Sequence, residues 1–226
     1  MDGYLDLADW RRRVAEMYAA WRHESGSDAE RATQRLRAAK DHLFRAHPQT
    51  PLKPEERARF GGLSYFPYDP SYRMTAVVEP AAPQQRPELP GLIQLPASVT
   101  PEFSFTLIGR AHLTGPLAGA VLPVFWMAGY AGGLFVPFRD TTSGTETYGA
   151  GRYLLDTVKG ADMGGDWERG ELLLDFNTAY HPSCAYDPKW NCPLAPLDSR
   201  LSIAVSAGER LGVPATAAPS RGGRSS

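Results

Sequence analysis

Two stretches of the chain concentrate the side chains that could do chemistry. The first, the glycine-rich block, covers residues 140–154 and reads DTTSGTETYGAGRYL. Its hydroxyls and amides can hold an anion, and Arg152 could bind a carboxylate or phosphate through two parallel hydrogen bonds. The block is neither a dinucleotide fingerprint nor a P-loop, because it lacks the third glycine and the GK[ST] sequence. The alternative is a hairpin turn in which Glu146 and Arg152 pair structurally.

The second stretch, the Cys/Pro block, covers residues 175–196 and reads DFNTAYHPSCAYDPKWNCPLAP. His181, Cys184 and Cys192 are ligands that zinc accepts, but C-x7-C with one histidine matches no known zinc knuckle, so we expect no metal. A His181–Cys184 pair would suit a hydrolase nucleophile, although an extended chain before Pro182 would separate the two side chains. The third interpretation is a proline-stiffened loop in which both cysteines pack as small apolar side chains.

Both blocks place polar side chains where glycine and proline restrict the backbone, which predicts that the blocks meet in space. Without a ligand, we expect Arg152 to pair with Glu146 or Asp175. If the protein is an enzyme, the catalytic candidates are Cys184, His181 and Glu146. The predicted ligand-binding residues are Glu146, Tyr148, Arg152, Asp175, Asn177 and Tyr180.

Composition limits the class of protein. With 24 Lys+Arg against 25 Asp+Glu, the net charge of −1 disfavours general nucleic-acid binding. The 22 glycines and 20 prolines favour short strands and many turns. The acidic N-terminus has no apolar region typical of a secretory signal, so we expect a cytoplasmic protein whose Cys184 and Cys192 are free thiols.

The charge-free stretch Leu113–Phe138 is the only candidate for a membrane span. Eight glycines and prolines interrupt it, and a helix facing lipid could not leave so many backbone groups unpaired. We therefore predict two buried strands, Ala120–Met127 and Leu134–Phe138, and no membrane contact.

The N-terminal residues have helical periodicity. Apolar side chains recur at Trp10, Val14, Met17 and Trp21, the spacing of a helix that packs one face against the rest of the protein. A second helix is predicted to begin after Ser27 or Asp28. Beyond residue 60 the pattern changes to strands, which we predict at Arg73–Val78, Phe103–Gly109, Glu171–Phe176 and Leu201–Val205.

These elements predict a mainly β (α+β) protein: an antiparallel barrel-like or sandwich domain with two N-terminal helices packed outside. The predicted divisions are a helical arm at 1–50, a β domain at 51–211 and a disordered tail at 212–226. The proline-rich segment 79–94 is predicted to be a mobile loop.

Three segments resemble the DUF1684 family, a bacterial and archaeal domain of unknown function: FGGLSYFPYDPSYR, LFVPFRDTTSGTETYGAGRYL, and LLLDFNTAYHPSCAYDPKWNCPLAP followed by RLSIAVSAGER. The resemblance extends roughly over residues 38–210 and implies no established activity. It implies an asparagine where this chain has His181, so His181 is not implied as a catalytic base, and a Glu-Asn pair near Asp198–Ser199. The matching positions are Glu146, Tyr148, Gly149, Gly151, Arg152, Asp175, Asn177, Tyr180, Cys184 and Cys192.

Three classes of function remain open. The first is a soluble protein that binds a small anionic molecule where the two blocks meet. The second is a hydrolase that uses Cys184 or a bound metal. The third is a structural or interaction protein whose helical arm docks a protein partner. No cofactor can be named from the sequence.

Overall fold

The computed structural model describes residues 2–82, 93–95, 103–129 and 132–212 of the 226-residue chain. Three helices come first: α1 (Asp2–Glu24), α2 (Ala29–Ala46) and the short α3 (Pro54–Arg57). The predicted cap of α2 is confirmed, because the Asp28 side chain accepts a hydrogen bond of 3.0 Å from the backbone N–H of Arg31.

Most of the described strands are short, as the glycine and proline content predicts, but β2 and β4 have 8 and 10 residues. In chain order they are β1 (Ser64–Tyr65), β2 (Arg73–Pro80), β3 (Ile93–Leu95), β4 (Phe103–His112), β5 (Val121–Met127), β6 (Gly133–Phe138), β7 (Arg152–Asp156), β8 (Gly165–Asp166), β9 (Glu171–Asp175) and β10 (Glu209–Arg210).

Seven of these strands form one curled, half-barrel antiparallel sheet in the order β7-β6-β5-β4-β2-β9-β8, with β3 paired to β4. β1 and β10 pair separately. The fold is therefore mainly β (α+β), as predicted. The charge-free stretch forms the β5–β6 hairpin, in which Phe125 pairs with Phe135. No helix among the described residues is long and apolar enough to cross a membrane.

The helical arm packs on the sheet through the predicted apolar stripe. Trp21 is 1% exposed and lies in the same core cluster as Leu36 of α2 and Leu174 of β9. Its indole N–H donates to Thr33 Oγ1 at 3.1 Å, so this buried polar atom has a partner. Arg37 of α2 donates to the backbone oxygen of Asn177 at 2.8 Å, which fixes α2 beside the start of the Cys/Pro block.

The predicted strand Leu201–Val205 is wrong. Residues 201–205 are irregular; Arg200, just before them, forms an isolated parallel bridge with Arg139, and the Ile203 carbonyl accepts from the backbone N–H of Thr141 at 3.4 Å. The Arg152 guanidinium donates to the Val205 carbonyl at 2.8 Å and to the Ala207 carbonyl, so the backbone here pairs with a buried side chain and not with a neighbouring strand. The predicted loop at 79–94 begins later than expected, because β2 continues to Pro80; residues 83–92 of it, and 213–226 of the predicted tail, lie outside the described residues.

Candidate functional site

Arg152 is a structural residue in the folded chain. It is 1% exposed, and its guanidinium donates to Asp140 Oδ2 at 2.5 Å, to the carbonyls of Val205 at 2.8 Å and Glu209 at 3.3 Å, and to the Ala207 carbonyl. Burial lowers the pKa of Arg152, and the charge of Asp140 opposes that effect. The predicted pairing with Glu146 or Asp175 is therefore wrong, because Asp140 on the same block lies closer in the fold.

Asp175 and Asn177 lie at the start of the Cys/Pro block, where the Asp175 side chain caps a short turn. Asp175 Oδ1 accepts from the backbone and side-chain N–H groups of Asn177, both at 2.9 Å, and Arg73 Nε lies 3.7 Å from Oδ2. Burial raises the pKa of Asp175. The Asn177 side chain also exchanges two hydrogen bonds with the backbone of Asp69, at 2.8 and 2.9 Å. Asn177 thus joins the Cys/Pro block to the turn before β2, whereas Asp175 Oδ2 is buried without a hydrogen-bond partner among the described residues.

The two blocks do meet, at Tyr148, His181 and Cys184. The backbone N–H of Tyr148 donates to His181 Nε2 at 3.1 Å, and its hydroxyl lies 3.8 Å from Cys184 Sγ. Burial, with the contact to Cys184, raises the pKa of Tyr148 to about 12. The prediction of a meeting point is confirmed. Glu146 is exposed, and its carboxylate makes no ion pair with any described residue.

At this junction lies a buried carboxylate that the sequence did not reveal, Glu209. It is 1% exposed; its Oε2 lies 2.8 Å from Lys40 Nζ, its Oε1 lies 3.2 Å from His181 Nδ1, and the Tyr186 hydroxyl donates to it. Burial by itself raises the pKa of Glu209, but the charge of Lys40 and the contact with His181 outweigh it and lower the pKa to about 2. Lys40 and Glu209 are 169 residues apart, so no local pattern could have shown the pair.

The same contacts hold the His181 ring in place. Its Nε2 accepts a hydrogen bond of 3.1 Å from the backbone N–H of Tyr148, and its Nδ1 lies 3.2 Å from Glu209 Oε1. Both ring nitrogens are thus engaged within the protein.

A cavity of about 70 Å³ lies between the helical arm and the two blocks. Most of its wall is apolar or aromatic. Its only charged lining residues are Lys40 and Lys159, whose acidic partners, Glu209 at 2.8 Å and Asp156 at 3.4 Å, are not part of the lining. The cavity wall is therefore mostly apolar and carries two ammonium groups, each beside a carboxylate that lies behind the wall. That wall is formed by Trp10, Val14, Met17, Leu43, Phe44, Pro51, Ala161 and Pro182.

Two tyrosines of this cavity have unused hydroxyls. Tyr18 is 5% exposed, and neither it nor Tyr180 has a hydrogen-bond partner for its hydroxyl among the described residues. Burial raises the pKa of both phenols, so both remain protonated donors. Tyr153, by contrast, donates its hydroxyl to the Pro193 carbonyl. The Lys40 ammonium lies 4.6 Å from the centre of the Tyr180 ring.

An open groove of about 680 Å³ lies on the other side of the Glu209 network. His181 and Tyr186 border both the groove and the cavity. The groove carries mixed charge, since it is lined by three glutamates and two arginines: Glu55, Glu56, Glu209, Arg59 and Arg210.

Cys184 and Cys192 are 7% and 1% exposed, and no disulfide joins them. The backbone N–H of Cys184 donates to Cys192 Sγ at 3.4 Å. The hydrogen bond with Cys184, together with burial, raises the pKa of the Cys192 thiol, which disfavours the thiolate that a nucleophile or a zinc ligand needs. The described residues contain no group of three or more His, Cys, Asp or Glu side chains that could hold a metal ion.

The family model for a protein of unknown function, DUF1684, matches residues 58–210. The chain belongs to the DUF1684 family. It is also similar to an uncharacterised protein of Haloarcula marismortui whose solution NMR structure is known: the identity is 38%, the match covers 83% of this chain and 97% of that one, and the TM-score is 0.56. No curated protein matches the chain. The DUF1684 match includes Glu209 and both blocks, whereas Tyr18 and Lys40 precede it.

Proposed function

We propose that the protein binds a small anionic molecule in the cavity between the helical arm and the two blocks. The observation that carries the proposal is the set of donors on the cavity wall: two lysine ammonium groups and the two unpartnered hydroxyls of Tyr18 and Tyr180. Both hydroxyls line the cavity and can donate to a ligand oxygen there, and a hydrogen bond to a charged acceptor is stronger than one to a neutral acceptor. No acidic side chain of the lining opposes an anion.

The ligand is small and partly apolar. A volume of about 70 Å³ is far below that of a drug-sized site and suits a compact molecule of one acidic group on a short or monocyclic body. Aromatic and aliphatic side chains from α1 and α2 would cover the apolar part. Lys40 and Lys159 would meet the acidic group, with charge-assisted hydrogen bonds stronger than neutral ones.

Titration calorimetry with benzoate tests the proposal, with benzamide as the uncharged analogue of the same shape. We expect benzoate to bind at one site and benzamide to bind at least about tenfold more weakly, because only benzoate offers a charged acceptor. Tyr18→Phe should weaken benzoate binding by about tenfold, since it removes one donor to the anion. Tyr4→Phe is the matched control, because Tyr4 is on the same helix and 84% exposed.

Equal affinity for benzoate and benzamide, or no benzoate binding at all, would contradict the proposal. So would a Tyr18→Phe protein that binds benzoate as tightly as the Tyr4→Phe control. Lys159→Gln supplies a second variant. Because Lys159 is 44% exposed, its loss should leave the fold intact while weakening benzoate binding.

A further inference from the structure

Two arginines lie side by side at the start of the glycine-rich block, away from the Arg152 contacts. The backbone N–H of Arg139 donates to the Ser199 carbonyl at 2.9 Å, and the backbone N–H of Leu201 donates to the Arg139 carbonyl at 2.7 Å. These two hydrogen bonds make a parallel bridge in which Arg139 and Arg200 are paired. Residues paired across a bridge direct their side chains to the same face, so two positive side chains occupy neighbouring positions.

Nothing among the described residues neutralises this pair. Neither guanidinium makes an ion pair or a hydrogen bond with a described residue, and the Nε atom of Arg139 is buried without a partner. Like charges placed directly opposite one another destabilise a strand pair. An anion held between the two side chains would offset this cost and would give the buried Nε of Arg139 an acceptor.

The surroundings are those of an oxyanion site. The two arginines line an open cleft of about 380 Å³ together with the hydroxyl-bearing residues Thr141, Ser143 and Ser202. The one acidic residue of the lining, Asp140, is already paired with Arg152 at 2.5 Å and accepts from Thr142 at 2.7 Å, so its charge does not compete. Arginine forks and hydroxyl donors are the groups that recognise the several oxygens of a phosphate.

We propose that this cleft is a second anion site, specific for a phosphate group held between Arg139 and Arg200. It is separate from the cavity of the proposed function, since the two share no lining residue. The cleft is open, so the phosphate group is either free phosphate or the end of a small phosphate monoester. The same contacts recognise both forms.

Calorimetric titration of the full chain with inorganic phosphate tests this site, with sodium chloride added to keep the ionic strength constant. We expect one binding event in the wild type, weakened at least about tenfold in R139Q and in R200Q, because each removes a charge-assisted donor pair. Arg31→Gln is the matched control: Arg31 is an exposed arginine of α2 that lines neither site. A parallel titration with methyl phosphate identifies the source, since tighter binding of the ester assigns the site to a monoester and tighter binding of inorganic phosphate assigns it to the free ion.

Two results would overturn the proposal. The first is phosphate binding that is absent, or that weakens equally in R139Q, R200Q and R31Q, since general screening and not a site would then explain it. The second is a lower melting temperature of R139Q in phosphate-free buffer, which would show that the arginine supports the fold. The proposal predicts an unchanged or raised melting temperature there, because the substitution removes a like-charge contact.

Discussion

The Arg152 cluster and the cavity under the helical arm both bury polar groups, but they do so in opposite ways. Around Arg152, the guanidinium donates to Asp140 and to three backbone carbonyls, so the charge is completely paired inside the protein. In the cavity, the hydroxyls of Tyr18 and Tyr180 have no partner among the described residues. The difference separates scaffold from site: paired groups hold the fold, and groups left without a partner are available to a ligand.

The largest effect that tests this comparison is expected for Arg152→Ala, which removes the paired guanidinium. Because the Asp140–Arg152 pair is buried, its loss leaves a carboxylate without a partner, and we expect the free energy of unfolding to fall by about 3–5 kcal/mol. Urea unfolding at pH 7 measures the change. Arg200→Ala is the control, since Arg200 is exposed and should change stability by no more than about 0.5 kcal/mol. A loss below about 1 kcal/mol for Arg152→Ala would show that the cluster is not structural.

The next prediction concerns how much stability the protein loses at acid pH, and it tests the role of Glu209. Its pKa in the folded protein is about 2 against an ordinary value of 4.5. Because folding lowers the pKa of Glu209, its carboxylate stabilises the folded protein fully above the unfolded-state pKa. This stabilisation is lost as the pH falls through the folded-state pKa, here between about pH 4.5 and 2. The free energy of unfolding that depends on this group is about 3 kcal/mol.

Glu209→Gln tests the assignment through urea unfolding at pH 7, 5 and 3. We expect the variant to have a lower free energy of unfolding than the wild type at pH 7. This difference, the stability gap, should narrow as pH falls toward 2, because protonation removes the same charge from the wild type. Glu146→Gln is the control: Glu146 is exposed and has no ion pair with a described residue, so its gap should stay near zero at each pH. A Glu209→Gln gap that keeps its size at every pH would show that the carboxylate charge is not what stabilises the fold.

Local patterns predicted the elements of this protein well and the partners of its polar groups poorly. Helical periodicity was enough to predict the stripe of Trp10, Met17 and Trp21. An uncharged stretch broken by glycine was enough to predict the β5–β6 hairpin. Which carboxylate meets Arg152 depends on the path of the whole chain. Asp140 stands at the edge of the glycine-rich block and was not among the predicted partners.

The cavity shows the same limit more clearly. Its walls come from α1, α2, β7 and the Cys/Pro block, segments that are far apart in sequence. Tyr180 was predicted as a ligand-binding residue, but Tyr18 and Lys40 lie on helices whose periodicity indicates packing alone. The prediction of an anion site at the glycine-rich block rested on Arg152, and the unpaired arginine next to that block is Arg139.

The smallest expected effect gives the sharpest comparison, because it uses the same substitution at two tyrosines of one cavity. The Tyr153 hydroxyl donates to the Pro193 carbonyl, so Tyr153→Phe leaves a buried acceptor unpaired and should cost about 1–3 kcal/mol. The Tyr18 hydroxyl has no partner among the described residues, so Tyr18→Phe should change the free energy of unfolding by about 0–0.5 kcal/mol, toward greater stability, when no ligand is present. Urea unfolding of both variants in buffer without small organic anions measures the difference. Benzoate binding should rank the two variants the other way round. Tyr18→Phe, the more stable variant without ligand, should gain less stability from added benzoate, whereas Tyr153→Phe should gain as much as the wild type. If Tyr18→Phe is as destabilised as Tyr153→Phe, its hydroxyl already has a partner inside the protein and belongs to the scaffold, as Arg152 does.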